Sequence, residues 1–148
     1  MKKKTRKRTL VLPLLLMMFL SLLEPVLITA GILPKVFTYS IGNILFSLAR
    51  FAVVAHVAFS RADEGLRTSA INGLVLGFAS ASIICTSGLV GTTFYGKPVL
   101  GISAGSQESR LFMIILIIIE SAAIFALFST IVTWLTRKFK YSSRPSPR

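Results

Sequence analysis

Four long apolar stretches separated by short polar breaks set the pattern of this chain, running over about 10–32, 36–60, 69–95 and 111–135. Each reaches the ~20 residues that an α-helix needs to cross the hydrocarbon core of a bilayer. No stretch shows the apolar–polar alternation over about ten residues that marks a strand of a membrane barrel. An open strand in lipid would leave backbone groups unpaired, so the pattern predicts helices. The expected fold is all-α: an integral membrane bundle of four transmembrane helices over 10–136, with a basic arm at 1–9 and a basic tail at 137–148.

Composition agrees with that pattern. The 148 residues are 53% hydrophobic and only 15% charged, with mean hydropathy +0.76. A soluble domain carries about a quarter charged residues, and a chain this short could not hide so much apolar surface in one core. The net charge of +12 comes from 17 Lys and Arg against 5 Asp and Glu. Such an excess suggests nucleic acid until the positions are read. Thirteen of the 17 basic residues fall in three places. Lys2, Lys3, Lys4, Arg6, Lys7 and Arg8 form the arm. Arg61 and Arg67 lie between the second and third spans. Arg137, Lys138, Lys140, Arg144 and Arg148 lie in the tail. Lys35, Lys97 and Arg110 fall on the other side. Positive loops stay cytoplasmic, so both termini are expected in the cytoplasm. The partner this implies is the lipid bilayer, with no nucleic acid. The Ser/Pro/Arg-rich tail is expected to be disordered, and arm and tail can each attract anionic lipid, at about 1 kcal/mol per basic residue near the surface.

The first span has two readings. Its basic residues, the Leu10–Leu23 run, the Glu24-Pro25 step and Ile28-Thr29-Ala30 before Gly31 also fit a cleaved signal peptide. A retained signal-anchor helix is preferred, because Val26–Ile32 continues the apolar run.

The residues available for chemistry are few. Cys85 is the one cysteine and His56 the one histidine. An intrachain disulfide and a cysteine-rich metal site are excluded, and a zinc site normally takes three or four protein ligands. Ser-His-Asp chemistry would have to use His56 with Asp63, seven residues on in sequence. The chain is therefore expected to be no enzyme and to carry no cofactor. His56 reads as an interfacial residue rather than a proton relay.

What remains are the helix faces. At about 100° per residue, Ala70, Gly73, Gly77, Ser80, Ser87 and Gly91 line one side of the third span, and Gly73 and Gly77 make a small-xxx-small step. Such a face lets helix backbones approach closely. It serves either packing inside the four-helix bundle, the preferred reading, or a homo- or hetero-oligomer contact through the third helix. On the fourth span Ala122, Ala126, Ser129 and Thr133 form a small face. Glu120 lies roughly opposite, among Met113, Ile117, Ile124, Leu127 and Ile131. On the second span Asn43, Ser47 and Arg50 share a stripe that Val54 and Val57 continue. Glu24, Arg50 and Glu120 are the charges inside the apolar spans. Because the second and fourth spans should run the same way, a match in depth pairs Arg50 with Glu120. Glu24 is the alternative partner. Without such a pair, Glu120 is either protonated or covered by another helix.

Two resemblances follow from the third and fourth spans. Ile84-Cys85-Thr86, followed after a loop by Ile118-Ile119-Glu120-Ser121-Ala122-Ala123-Ile124-Phe125, resembles uncharacterised receptor-like multi-pass membrane proteins of basidiomycete fungi. The match covers about half the chain. Those proteins usually have seven helices, so the resemblance implies a truncated or divergent member and no mechanism. The Gly73–Gly91 helix, polar loop and Ile119–Phe125 segment also resemble, more weakly, the proteolipid (c) subunits of rotary ATPases. That resemblance implies that Glu120 carries an ion. The chain lacks that family's Arg/Gln-Asn-Pro loop element, and its first two spans lack the glycine pattern. The functional expectation is a non-catalytic multi-pass membrane protein that works by helix packing, as a complex subunit, a receptor-like fragment or a scaffold. Ion (proton) translocation through Glu120 is the alternative.

Overall fold

A computed structural model describes residues 10–36, 38–97, 99–101 and 107–142. Among them are four α-helices: α1 (Val11–Thr29), α2 (Ile41–Ser60), α3 (Leu66–Tyr95) and α4 (Gln107–Ser142), with a 3-10 turn (Ala62–Glu64) between α2 and α3. All four are long and apolar enough to cross a membrane.

The helix ends follow local chemistry that hydropathy does not weigh. Gly31, at φ +81°, lies just past the end of α1. α2 begins five residues later than the apolar run, at Ile41, because the Ser40 hydroxyl caps it by accepting from the Asn43 N–H at 3.2 Å. Gly65, at φ +105°, precedes α3, which starts three residues early. α4 extends beyond 111–135 in both directions. Its last turns take in Arg137, Lys138 and Lys140, good helix formers, so the first six residues assigned to the tail, 137–142, are helical. The arm at 1–9 and the tail from 143 lie outside the described residues. Pro25 does not end α1 but sits inside it.

Side-chain contacts give the register. Ser21 meets Ser80, and Thr29 lies close to Gly91, so α1 and α3 run parallel. Phe51 packs on Phe125 and Thr133 reaches the Ala58 carbonyl, so α2 and α4 also run parallel. Ser69 meets Ser129 and Thr133 while Gly77 meets Ala122, which makes α3 and α4 antiparallel. The result is an up-down-up-down bundle. The α1–α2 and α3–α4 connections lie at one end, the loop end. The start of α1, the end of α4 and the α2–α3 turn lie at the other.

The interior inverts the water-soluble arrangement. Buried side chains include Ser21, Glu24, Asn43, Arg50, Ser69, Asn72, Ser80, Ser129 and Thr133, while Leu12, Phe19, Leu45, Phe78, Phe112, Ile119 and Leu127 are exposed. Buried polar groups must pair with one another, and an apolar exterior of this extent marks a surface made for something other than water. One apolar cluster, Met17, Val53, Val54, Val57, Leu76 and Phe125, fills the centre, with Phe51 stacked between Phe125 and Phe128 at 4.8 and 4.9 Å.

The loop end is closed by chain folding back. The Val36 N–H donates to the Val99 carbonyl at 3.0 Å, and Asn43 Nδ2 donates to the carbonyls of Lys35 and Thr38 at 2.8 and 2.9 Å. Val99 and Leu100 are buried against Gly91 and Gly88. At the opposite end Arg61 pairs with Glu64, and Lys140 pairs with Asp63 at 2.8 Å.

Candidate functional site

Arg50 is the tenth residue of α2, in the middle of an apolar helix, and only 7% exposed. Glu24 on α1 is 1% exposed. Because α1 and α2 are antiparallel neighbours, the two meet: Arg50 Nη1 lies 2.8 Å from Glu24 Oε2. Arg50 Nη2 donates to the Ser47 hydroxyl one turn earlier, at 3.3 Å. Neither Glu24 Oε2 nor Arg50 Nη1 has a hydrogen-bond partner among the described residues, so the ion contact between them is what each has. Each charge therefore depends on the other for compensation.

This corrects the expected Arg50–Glu120 pair. Glu120 lies at a depth not far from Arg50 but points the other way. Two residues on α4 turn the helix by about 200°, and Ala122 is the residue buried against Gly77. Glu120 is exposed, and no described residue pairs with it. In a bilayer a carboxylate so placed costs about 2.5–3.5 kcal/mol on insertion scales.

Arg50 also lines a partly open cavity of about 260 Å³ between α2, α3 and α4. Ser47, Ser80 and Ser121 add hydroxyls to it, while Phe51, Ile84, Leu100 and Ile124 supply apolar wall. Ser80 is joined to Ser21 of α1 at 2.7 Å. A neutral ion pair flanked by hydroxyls can fix the relative rotation of α1, α2 and α3, and it offers donors and acceptors to a small polar guest or to water.

The small-residue stripe of α3 is divided between two neighbours. Gly73 and Gly77 lie against Phe125, Ala126, Ser129 and Ala122 of α4, so this half packs within the chain. Ser80 and Gly91 face α1 and the folded-back loop. Ala70 and Ser87 are half-buried, and Ser87 lines an open groove between α1 and α3. His56 is exposed, and Cys85 is a buried free thiol.

One polar centre has no sequence signature. Ser69 Oγ lies 2.8 Å from Ser129 Oγ, 2.6 Å from Thr133 Oγ1 and 2.9 Å from the Ser129 carbonyl, and Thr133 reaches the Ala58 carbonyl at 3.3 Å. The cluster ties α2, α3 and α4 at the end of the bundle that holds the α2–α3 turn. Ser69→Ala is expected to cost about 1 kcal/mol, between the ~0.6 kcal/mol average and the ~1.7 kcal/mol maximum measured for polar contacts between membrane helices. Thr130→Ala removes a hydroxyl bonded to its own helix, at the Ala126 carbonyl, and is expected to cost a fraction of that. Detergent-induced unfolding of the two variants, followed by helical circular dichroism, checks the difference.

In comparisons with protein families, curated proteins and solved structures, the chain matches none.

Proposed function

We propose that the chain is a non-catalytic multi-pass membrane protein that works by helix packing, as a membrane-embedded subunit or scaffold with both termini in the cytoplasm. One observation carries the reading. Buried polar groups of the apolar spans are paired with one another inside the bundle, Glu24 with Arg50 and Ser21 with Ser80, while long apolar faces remain outside. Polar residues used this way join helices. Orientation rests on the distribution of basic residues. Four spans return the chain to its starting side, and that end carries the greater share of Lys and Arg.

Topology is the first test. In a Cys85→Ser background, single cysteines placed at the exposed Lys97 and at either terminus are treated in intact cells with a membrane-impermeant maleimide. Labelling is expected at Lys97→Cys, and at the termini only after permeabilisation. Termini labelled in intact cells would overturn the orientation.

The outward position of Glu120 also favours a second reading, ion translocation by its carboxylate. In sealed proteoliposomes a carrier would move protons under an imposed potential and lose that movement in Glu120→Gln. A packing protein gives the same background flux in both.

A further inference from the structure

Of the two carboxylates inside the apolar spans, Glu24 is paired with Arg50, and Glu120 has no partner among the described residues. Met113, Leu116, Ile124, Leu127 and Ile131 stand at i−7, i−4, i+4, i+7 and i+11 from it, and all are exposed. Together they make one continuous apolar stripe along α4, about 27 Å long at 1.5 Å per residue, with the carboxylate inside it. We infer that this stripe docks a transmembrane helix of a different protein, one that carries a Lys or Arg at the depth of Glu120. The inference rests on reading the chain as a membrane-embedded subunit.

Charge complementarity selects the occupant. Among the described residues, a second copy of this chain carries no suitable cation inside its four apolar spans, and its exposed Lys35 lies on the α1–α2 connection, off the helix faces. Arg50 is buried on Glu24. His56 is exposed, but on α2, at the wrong level: the Phe51–Phe125 and Ala58–Thr133 contacts place it near residue 131 of α4. That is about 16 Å along the helix from Glu120. Two copies packed through the stripe about a two-fold axis would set Glu120 against Glu120, like charges in a low dielectric. Lipid alone supplies apolar contact and leaves the carboxylate unserved. A basic side chain on a neighbouring helix supplies both contact and charge, and the demand for charge at one depth makes the contact selective.

The test uses the full chain in phosphatidylcholine vesicles, donor-labelled at a cysteine added to the C-terminus in the Cys85→Ser background. The probes are acceptor-labelled Leu/Ala transmembrane peptides with Lys, Leu or Glu at one position. The Lys stands about 8 Å inside the end of the apolar span, the depth of Glu120 judged from α2. Energy transfer is expected to show about tenfold tighter association with the Lys peptide than with the Leu peptide, equivalent to about 1.4 kcal/mol. Glu120→Gln should bring the two within about twofold. Moving the carboxylate, Glu120→Leu with Leu127→Glu, should transfer the preference to a peptide whose Lys is displaced by seven residues, which excludes misfolding as the cause of the loss. Equal association of the Lys and Leu peptides, a preference that survives Glu120→Gln, or no association of the Lys peptide would overturn the proposal. Alkaline extraction of the same vesicles reports separately on membrane embedding. Release of the chain would sink the underlying reading, whereas retention with no Lys preference sinks this inference alone.

Discussion

Arg50→Met is expected to destabilise the bundle by about 3–5 kcal/mol, the usual cost of removing one partner from a buried ion pair. Arg50 and Glu24 are both buried, 2.8 Å apart, and beyond this ion contact the paired atoms have no hydrogen-bond partner among the described residues. The single substitution strands a buried carboxylate between α1 and α2. Glu24→Met strands the guanidinium and should cost a similar amount. The double variant leaves no stranded charge, and apolar replacement of a whole buried pair is often neutral or stabilising. Stability within about 1 kcal/mol of the parent is therefore expected for it. Unfolding of the four proteins in mixed micelles closes a double-mutant cycle, in which strong non-additivity shows that the two groups act on each other. Additive losses would show that the pair is not a unit. Glu120→Leu combined with Arg50→Met provides the contrast. The two side chains do not meet, so their effects should add.

That contrast also shows what periodicity and depth can each decide. Length and hydropathy along the chain suffice for four helices. Helical wheel positions already set Glu120 opposite Ala122, Ala126, Ser129 and Thr133, and the structure buries Ala122, Ser129 and Thr133. Matching Arg50 to Glu120 by depth ignored that rotation. Depth is a coarse guide, because an extended Arg spans more than a helical turn, whereas azimuth decides which neighbour a side chain can reach at all. Glu24 was legible only as a second choice. Its contact depends on α1 lying beside α2, and helix adjacency is not written in the periodicity of either helix. Ser21 and Ser69 were illegible for a related reason. A single hydroxyl in an apolar helix carries no pattern, and its meaning comes from a partner 59 or 60 residues away. The burial of Val99 and Leu100 was hidden too. The segment after α3 reads as a polar loop, yet it folds back because Gly88 and Gly91 leave room on that helix. The helix starts depended on Ser40 and Gly65, which act through backbone geometry rather than hydropathy.

Room on a helix is also where the second large effect is expected. A Cβ added at Gly73 would press on the Phe125 carbonyl, and would stand 2.7 Å from Ser129 Cβ and 2.9 Å from Ala126 Cα. At Gly77 it would stand 2.9 Å from Phe125 Cβ and 3.0 Å from Ala122 Cα. Most of these atoms belong to the α4 backbone or its first side-chain carbon. They cannot rotate away, so relief requires α3 and α4 to separate. Separation would loosen the Ser69–Ser129–Thr133 hydroxyls and the Phe51–Phe125 stack along with the glycine contact, because the same α4 residues make all three. Gly73→Ala is therefore expected to cost about 1–3 kcal/mol, the range for overpacking a close contact, even though alanine is the better helix former. Gly73→Leu should exceed it and reduce the folded yield. Gly42→Ala is the control. Its new methyl would also crowd a neighbour, but only the side chain of Leu33, a flexible group that can turn aside. Its cost should be well below that of Gly73→Ala. Unfolding in mixed micelles gives the ranking, and equal losses at Gly42 and Gly73 would show that α3 and α4 are not in backbone contact at that step.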